Sequence, residues 1–226
     1  MIMQAARYLR YFFFLSINWN IRIALHIIIR EIRGEKKYGI QTTGADELAS
    51  MEKKGIDISH ATIYMPASYD LLEDLFTQLE PLKIKHFLDI GCGKGRALCV
   101  AAGHQVPQVT GIDFSKELCQ QATINLEKIS KNFPALQYKI INNDAFYFDI
   151  PDDVDCIFLF NPFDEIIMKG VLENINKSLK RSPRLLHIVY LNPLYKDLFT
   201  GKGFKEIFYT NKMHYLEASV LQKNAR

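Results

Sequence analysis

From about residue 66 the chain settles into short apolar runs separated by helical stretches, and this alternation constrains the fold more than any other feature. The runs are HFLDI (86–90), QVTGID (108–113), LQYKIIN (136–142), VDCIFLF (154–160) and RLLHIVYL (184–191). Apolar nearly throughout, they read as strands buried on both faces. Between them lie helical stretches over 95–103, 115–131 and 164–180, and ahead of them SYDLLEDLFTQLEPL (68–82), with Ser68 as its cap behind Pro66. Such a sequence predicts an α/β fold with a doubly wound, mostly parallel sheet. The tail differs. After a short helix near 195–199, GFKEIFYT (203–210) and HYLEASVLQ (214–222) flank a turn about Asn211 and Lys212, which predicts an antiparallel hairpin.

A chain of 226 residues suits one domain plus an extension. Its 48% hydrophobic content excludes a disordered chain. The net charge of +3 is too small to indicate nucleic acid by itself, but its distribution is uneven. Residues 1–40 hold seven Lys/Arg against two Glu, a net of +5, which leaves −2 for residues 41–226. That acidic balance argues against a duplex nucleic acid partner. Cys92, Cys99, Cys119 and Cys156 form no CxxC pair and have no His at zinc spacing, so neither a metal site nor a disulfide framework is expected. A reduced, cytoplasmic protein is the economical reading.

The first 61 residues stand apart as a basic amphipathic helix and a connecting segment. YFFFLSINWNI (11–21) is interrupted by Arg22, short of the roughly 20 apolar residues a membrane span needs. Beyond it Arg22, His26, Arg30 and Arg33 recur at helical spacing among Ile and Leu. Two readings stand: a helix packed on its own domain with a solvated basic face, or residues 1–33 contacting a membrane surface or partner, peripherally. Residues 34–62 lack steady periodicity and read as a connection.

FLDIGCGKGRAL (87–98) places three glycines, Gly91, Gly93 and Gly95, directly behind the first strand. In an open parallel sheet, ligands bind beyond the carboxyl ends of the strands, where glycines admit them to the main chain. A dinucleotide fingerprint fails because its sixth position is Arg96, and a GxxxxGK[ST] phosphate loop fails at Gly95. What survives is a GxGxG turn with Asp89 two residues ahead, suited to a ligand carrying an ammonium group. Asp113 closes the next strand, where a carboxylate can accept from both hydroxyls of a ribose. Asp144 in NNDAF (142–146) can accept from an adenine amino group, with the Ala145 amide free for a ring nitrogen. Lys94 and Arg96 flank the turn, either drawing an acidic substrate or as solvated charges at a helix start.

FLDIGCGKGRAL, VTGIDFS, NNDAF and IFLFNPFD, in this order and spacing, resemble the class I S-adenosylmethionine-dependent methyltransferases over about residues 62–221. The resemblance implies a methyltransferase domain over 62–226 and a seven-stranded sheet with a C-terminal antiparallel hairpin. It implies S-adenosylmethionine as cofactor, with Asp89, Gly91, Cys92, Gly93 and Gly95 at the methionine end, Asp113 and Phe114 at the ribose, and Asp144 and Ala145 at the adenine.

The fourth strand ends in FLFNPFDE (158–165). Asn161, stiffened by Pro162, can accept from an acceptor amine, and Phe163 offers a π face to the transferring cation. This is similar to the Asn/Asp-Pro-Pro-aromatic motif of amino-group methyltransferases, without its second proline. Asn161 or Asp164 can equally cap the following helix. Tyr64, in a Tyr-x-Pro segment similar to that of some protein lysine methyltransferases, can lie near the methyl donor or in the core. Asn192 and Tyr195 end the fifth strand at the same rim. The expected activity is methyl transfer to an amine nitrogen of a protein lysine or small molecule. The alternatives are a nucleic-acid or O-directed enzyme, and a non-catalytic binding protein of the same fold.

Overall fold

A computed structural model of the chain describes residues 2–18, 20–43, 66–160, 163–212 and 216–224. The five apolar runs become β1 (His86–Ile90), β2 (Gln108–Asp113), β3 (Gln137–Asn142), β4 (Cys156–Phe160) and β5 (Leu185–Leu191), all parallel. β6 (Lys205–Lys212) and β7 (Leu216–Asn224) complete a seven-stranded sheet of order β3-β2-β1-β4-β5-β7-β6. β7 runs antiparallel between β5 and β6, as the hairpin pattern predicts. Asn211 and Lys212, expected in the turn, are still paired in the ladder, with Glu217 and Leu216. Across these strands the Glu217 Oε1 accepts from the Tyr209 hydroxyl at 2.8 Å, a contact that supports the ladder.

The pleat divides the core. Phe87, Cys156 and Phe158 point to one face, where α3 (Tyr69–Leu79), α4 (Arg96–Gly103) and α5 (Lys116–Ser130) pack. Leu88, Ile90, Ile157 and Leu159 point to the other, under α6 (Glu165–Arg181) and α7 (Lys196–Thr200). α6 shows how the sequence selects its face. Met168, Val171, Leu172, Ile175 and Leu179 recur at three and four residues and are all buried. Each such burial stabilises by about 1.5–3 kcal/mol. Asp164 caps the helix, accepting from the Ile166 and Ile167 amides at 3.0 Å. Ser68 occupies the expected cap position of α3, but its side chain makes no capping bond.

The N-terminal region forms two helices rather than one, α1 (Ile2–Asn18) and α2 (Ile21–Tyr38). Asn20 starts the second, its backbone extended and its Oδ1 accepting from the Ile23 amide at 2.9 Å. α1 folds back on α2, with Tyr11, Leu15 and Ala24 in a small core of their own. Residues 34–38, read from sequence as connection, are the last turn of α2, which ends at Gly39. Gly34 is where α2 meets α3: a Cβ there would lie 2.2 Å from the Tyr69 ring.

Candidate functional site

The strand order reverses beside β1, whose neighbours are β2 on one side and β4 on the other, so a crevice opens at its carboxyl end. The glycine turn stands there. The Gly91 and Cys92 amides both donate to the Ile112 carbonyl at 2.9 Å, and the Gly95 amide closes the turn onto the Cys92 carbonyl at 2.8 Å. Gly91, Gly93 and Gly95 have φ of 83°, 53° and 77°, a left-handed conformation that side chains resist. A Cβ on Gly95 would also meet that of Ala122 at 3.1 Å. Cys92 is buried, which pushes its thiol far above the usual range and leaves it a packing residue.

Two carboxylates converge on the turn. Asp113 accepts from the Gly93 amide through Oδ2 at 2.8 Å and from the Ser115 amide through Oδ1 at 2.9 Å. Burial raises its pKa to about 6, against the pull of those two amides. Asp89 is only 4% exposed and makes no hydrogen bond or ion pair among the described residues. Burial pushes its carboxyl well above the usual carboxylate range, and the charge of Asp113 adds to the rise. A buried acid without a partner is a costly arrangement that an arriving cation relieves. This pair of acceptors therefore fits the ammonium and ribose hydroxyls of S-adenosylmethionine, which donate.

The other residues that the sequence assigns to the cofactor are distributed around this pair. Phe114 is half-buried behind Asp113, and Ala145 is buried. Asp144 is exposed, and its Oδ1 accepts from the Phe146 amide at 2.8 Å, as in a side-chain turn. Asn142 escaped the sequence reading. Its Nδ2 donates to the Asp113 and Phe114 carbonyls at 3.0 and 2.8 Å, tying the end of β3 to the end of β2. Asn125 escaped too, bridging the Lys94 carbonyl at 2.9 Å and the Gln41 backbone. Its signal was available as a polar residue amid the buried Leu118, Cys119, Ala122, Leu126 and Ile129 of α5.

Arg96 is neither a substrate lure nor a solvated helix-start charge. It is 3% exposed and forms a two-pronged ion pair with Glu31 of α2, at 2.7 and 2.5 Å. Its Nε donates to the Thr42 hydroxyl at 2.8 Å, Nη1 to the Ala67 carbonyl at 2.7 Å, and its guanidinium stacks 4.1 Å over the Tyr69 ring. Glu35, next along α2, accepts from the Thr42 and Thr43 amides at 2.6 Å and from the Tyr8 hydroxyl. Burial would raise its pKa, yet the bonds from Tyr8, Thr43 and Thr42 hold it below the ordinary value. The N-terminal helices are thus locked to the residue that follows the last glycine of the turn.

Of the residues expected to meet the methyl acceptor, Asn161, Pro162 and Tyr64 lie outside the described residues. Phe163 is half-buried against the α6 side of the core. The capping role falls to Asp164. Asn192, at φ 45°, accepts from the Glu217 amide at 3.3 Å and so ties β5 to β7, while Tyr195 packs against the same core.

Residues 87–182 match the family described as methyltransferase domain. An 81-residue stretch, 36% of this chain, is 35% identical to the O-methyltransferase cnsE of Penicillium expansum and spans 28% of that protein's length. Among solved structures, a Haemophilus influenzae protein assigned as a methylase superposes at TM-score 0.53 with 20% identity, over 70% of this chain and 98% of its own. The tRNA (uracil-54, C5)-methyltransferase of Pyrococcus abyssi, solved with S-adenosyl-L-homocysteine, superposes at TM-score 0.52 with 12% identity, over 70% of this chain and 39% of its own.

Proposed function

We propose that the chain, which matches the methyltransferase domain family over residues 87–182, is a class I S-adenosylmethionine-dependent methyltransferase and moves the sulfonium methyl group onto an amine nitrogen presented where β4 leads into α6. The observation that supports the cofactor half is the buried Asp89, which has no hydrogen bond or ion pair among the described residues, beside a left-handed glycine turn. S-adenosylmethionine, when bound, supplies a methyl group already activated on a positive sulfur. Asp89 then holds the ammonium, Asp113 the ribose hydroxyls, and the glycines leave room for the chain between them. Alignment and the removal of one proton are what remain for the protein to supply. Asn161, Pro162 and Phe163 follow β4 directly in the sequence and are the residues assigned to the acceptor. Support for nitrogen comes from that Asn-Pro-Phe sequence.

Asp89→Asn tests the cofactor half. It keeps the shape and removes the buried charge, so the free protein should melt at the same or a higher temperature while S-adenosylmethionine binds more weakly, by about 1.5–3 kcal/mol for a lost charged hydrogen bond. Calorimetric titration with S-adenosylmethionine, S-adenosylhomocysteine and, as control, NADH measures this. Unchanged affinity would remove Asp89 from the site.

A second reading, transfer to oxygen, is favoured by the relatedness to an O-methyltransferase of Penicillium expansum. Labelled methyl incorporated into acceptors decides between them: methyl esters release methanol in mild base, and fragmentation in the mass spectrometer places the methyl of base-stable products on nitrogen or on a phenol oxygen.

A further inference from the structure

The two N-terminal helices turn apolar side chains outward that no described element covers. On α2 these are Ile21, Leu25, Ile29 and Ile32, and on α1 Leu9, Phe13 and Ile17, each between 43 and 82% exposed. Spacings of four, four and three put the α2 residues on one side of the helix, with Arg22, His26 and Arg33 along its flank. Part of the apolar surface of these helices is thus turned away from the core.

Charge sorts in the same direction. Both acids of residues 1–40, Glu31 and Glu35, are buried in the Arg96 and Thr42–Thr43 network, so the exposed charges contributed by this segment are all cationic. Arg30 and Lys37 pair with Asp70 and Glu73 of α3, and Arg7 leans on Glu35. Arg10, Arg22, Arg33 and Lys36 are exposed and make no ion pair among the described residues. Aliphatic side chains rimmed by cations alone complement an anionic phospholipid surface: the aliphatics enter the acyl boundary and the cations meet phosphate. A second copy would set this face against itself, bringing like charges together. No helix among the described residues is long and apolar enough to cross a membrane, so the pair would lie in the interface plane.

We propose that α1 and α2 dock this protein on an anionic membrane surface. The opposite face of α2 holds Arg96, adjacent in sequence to Gly95, so docking sets the cofactor turn close behind the surface.

The test uses the full chain and sucrose-loaded vesicles of phosphatidylcholine, alone or mixed with phosphatidylglycerol. Protein should sediment with the mixed vesicles only, and less as salt rises. Leu25→Ser with Ile29→Ser, and separately Arg22→Glu with Arg33→Glu, should each weaken that binding by at least about tenfold. All four side chains point outward, so the melting temperature should hold. If the apolar pair disturbs folding, the charge pair still decides. Absence of binding, or equal binding to both vesicles, overturns the proposal. So does a dimer in light scattering that dissociates on Leu25→Ser with Ile29→Ser, which would give the face to a second copy.

Discussion

Asp113 illustrates how a single residue serves both fold and ligand. Its two oxygens already accept from the Gly93 and Ser115 amides, and it retains lone pairs for a further donor. Replacing it with Ala should weaken cofactor binding by about 1–3 kcal/mol, measured calorimetrically, and should also loosen the turn it anchors. Its pKa near 6 lies above the ordinary carboxylate value. The folded state therefore favours the protonated form. That contribution to stability is fully present below the ordinary value and is lost as pH rises through about 6. Cofactor affinity should run the opposite way, rising to a plateau above about 6 because the ribose needs an ionised acceptor. Titrations across that window check the sign, and affinity that falls with rising pH would contradict it. Gly95 is constrained twice, by φ and by Ala122. Gly95→Ala should cost about 1–2 kcal/mol in chemical denaturation and weaken cofactor binding with it.

At the scale of elements, the sheet strands and their covering helices follow directly from apolar spacing, whereas the docking of α2 does not. Its basic residues and isoleucines dominate the sequence pattern, yet the contacts that fix it are Glu31, Gly34, Glu35 and Tyr38. Two buried glutamates on a helix otherwise rich in cations have meaning only once Arg96 and the Thr42–Thr43 amides are opposite them. Arg96 was legible as the residue that breaks a dinucleotide fingerprint, but not as a buried charge. Glu31→Gln should destabilise by about 3–5 kcal/mol, because it leaves a buried guanidinium without its anion. Replacing both partners, Glu31→Met with Arg96→Met, should recover most of that loss. A double-mutant cycle in urea measures the coupling, and additive losses would show that the pair does not act as a unit.

For the molecule as a whole, Arg96 ties the N-terminal helices to the sheet domain through its buried pair with Glu31. Deleting residues 1–38 should therefore lower the melting temperature and weaken cofactor binding, rather than release an intact domain; retained stability and affinity would show the helices to be an independent appendage. The sequence by itself determined the parallel sheet, its helical cover, the antiparallel tail and the glycine turn with its flanking acids. Each of these is written in a local period or a short motif, and neighbouring residues suffice to specify it. Only the tertiary structure decided that Asp89 has no partner among the described residues, that Arg96 is buried against Glu31, and that Ile21, Ile29 and Ile32 of α2 face outward. Those are properties of residues far apart in the chain, such as Glu31 and Arg96, brought together by burial, where the energy of a charge depends on what stands opposite it.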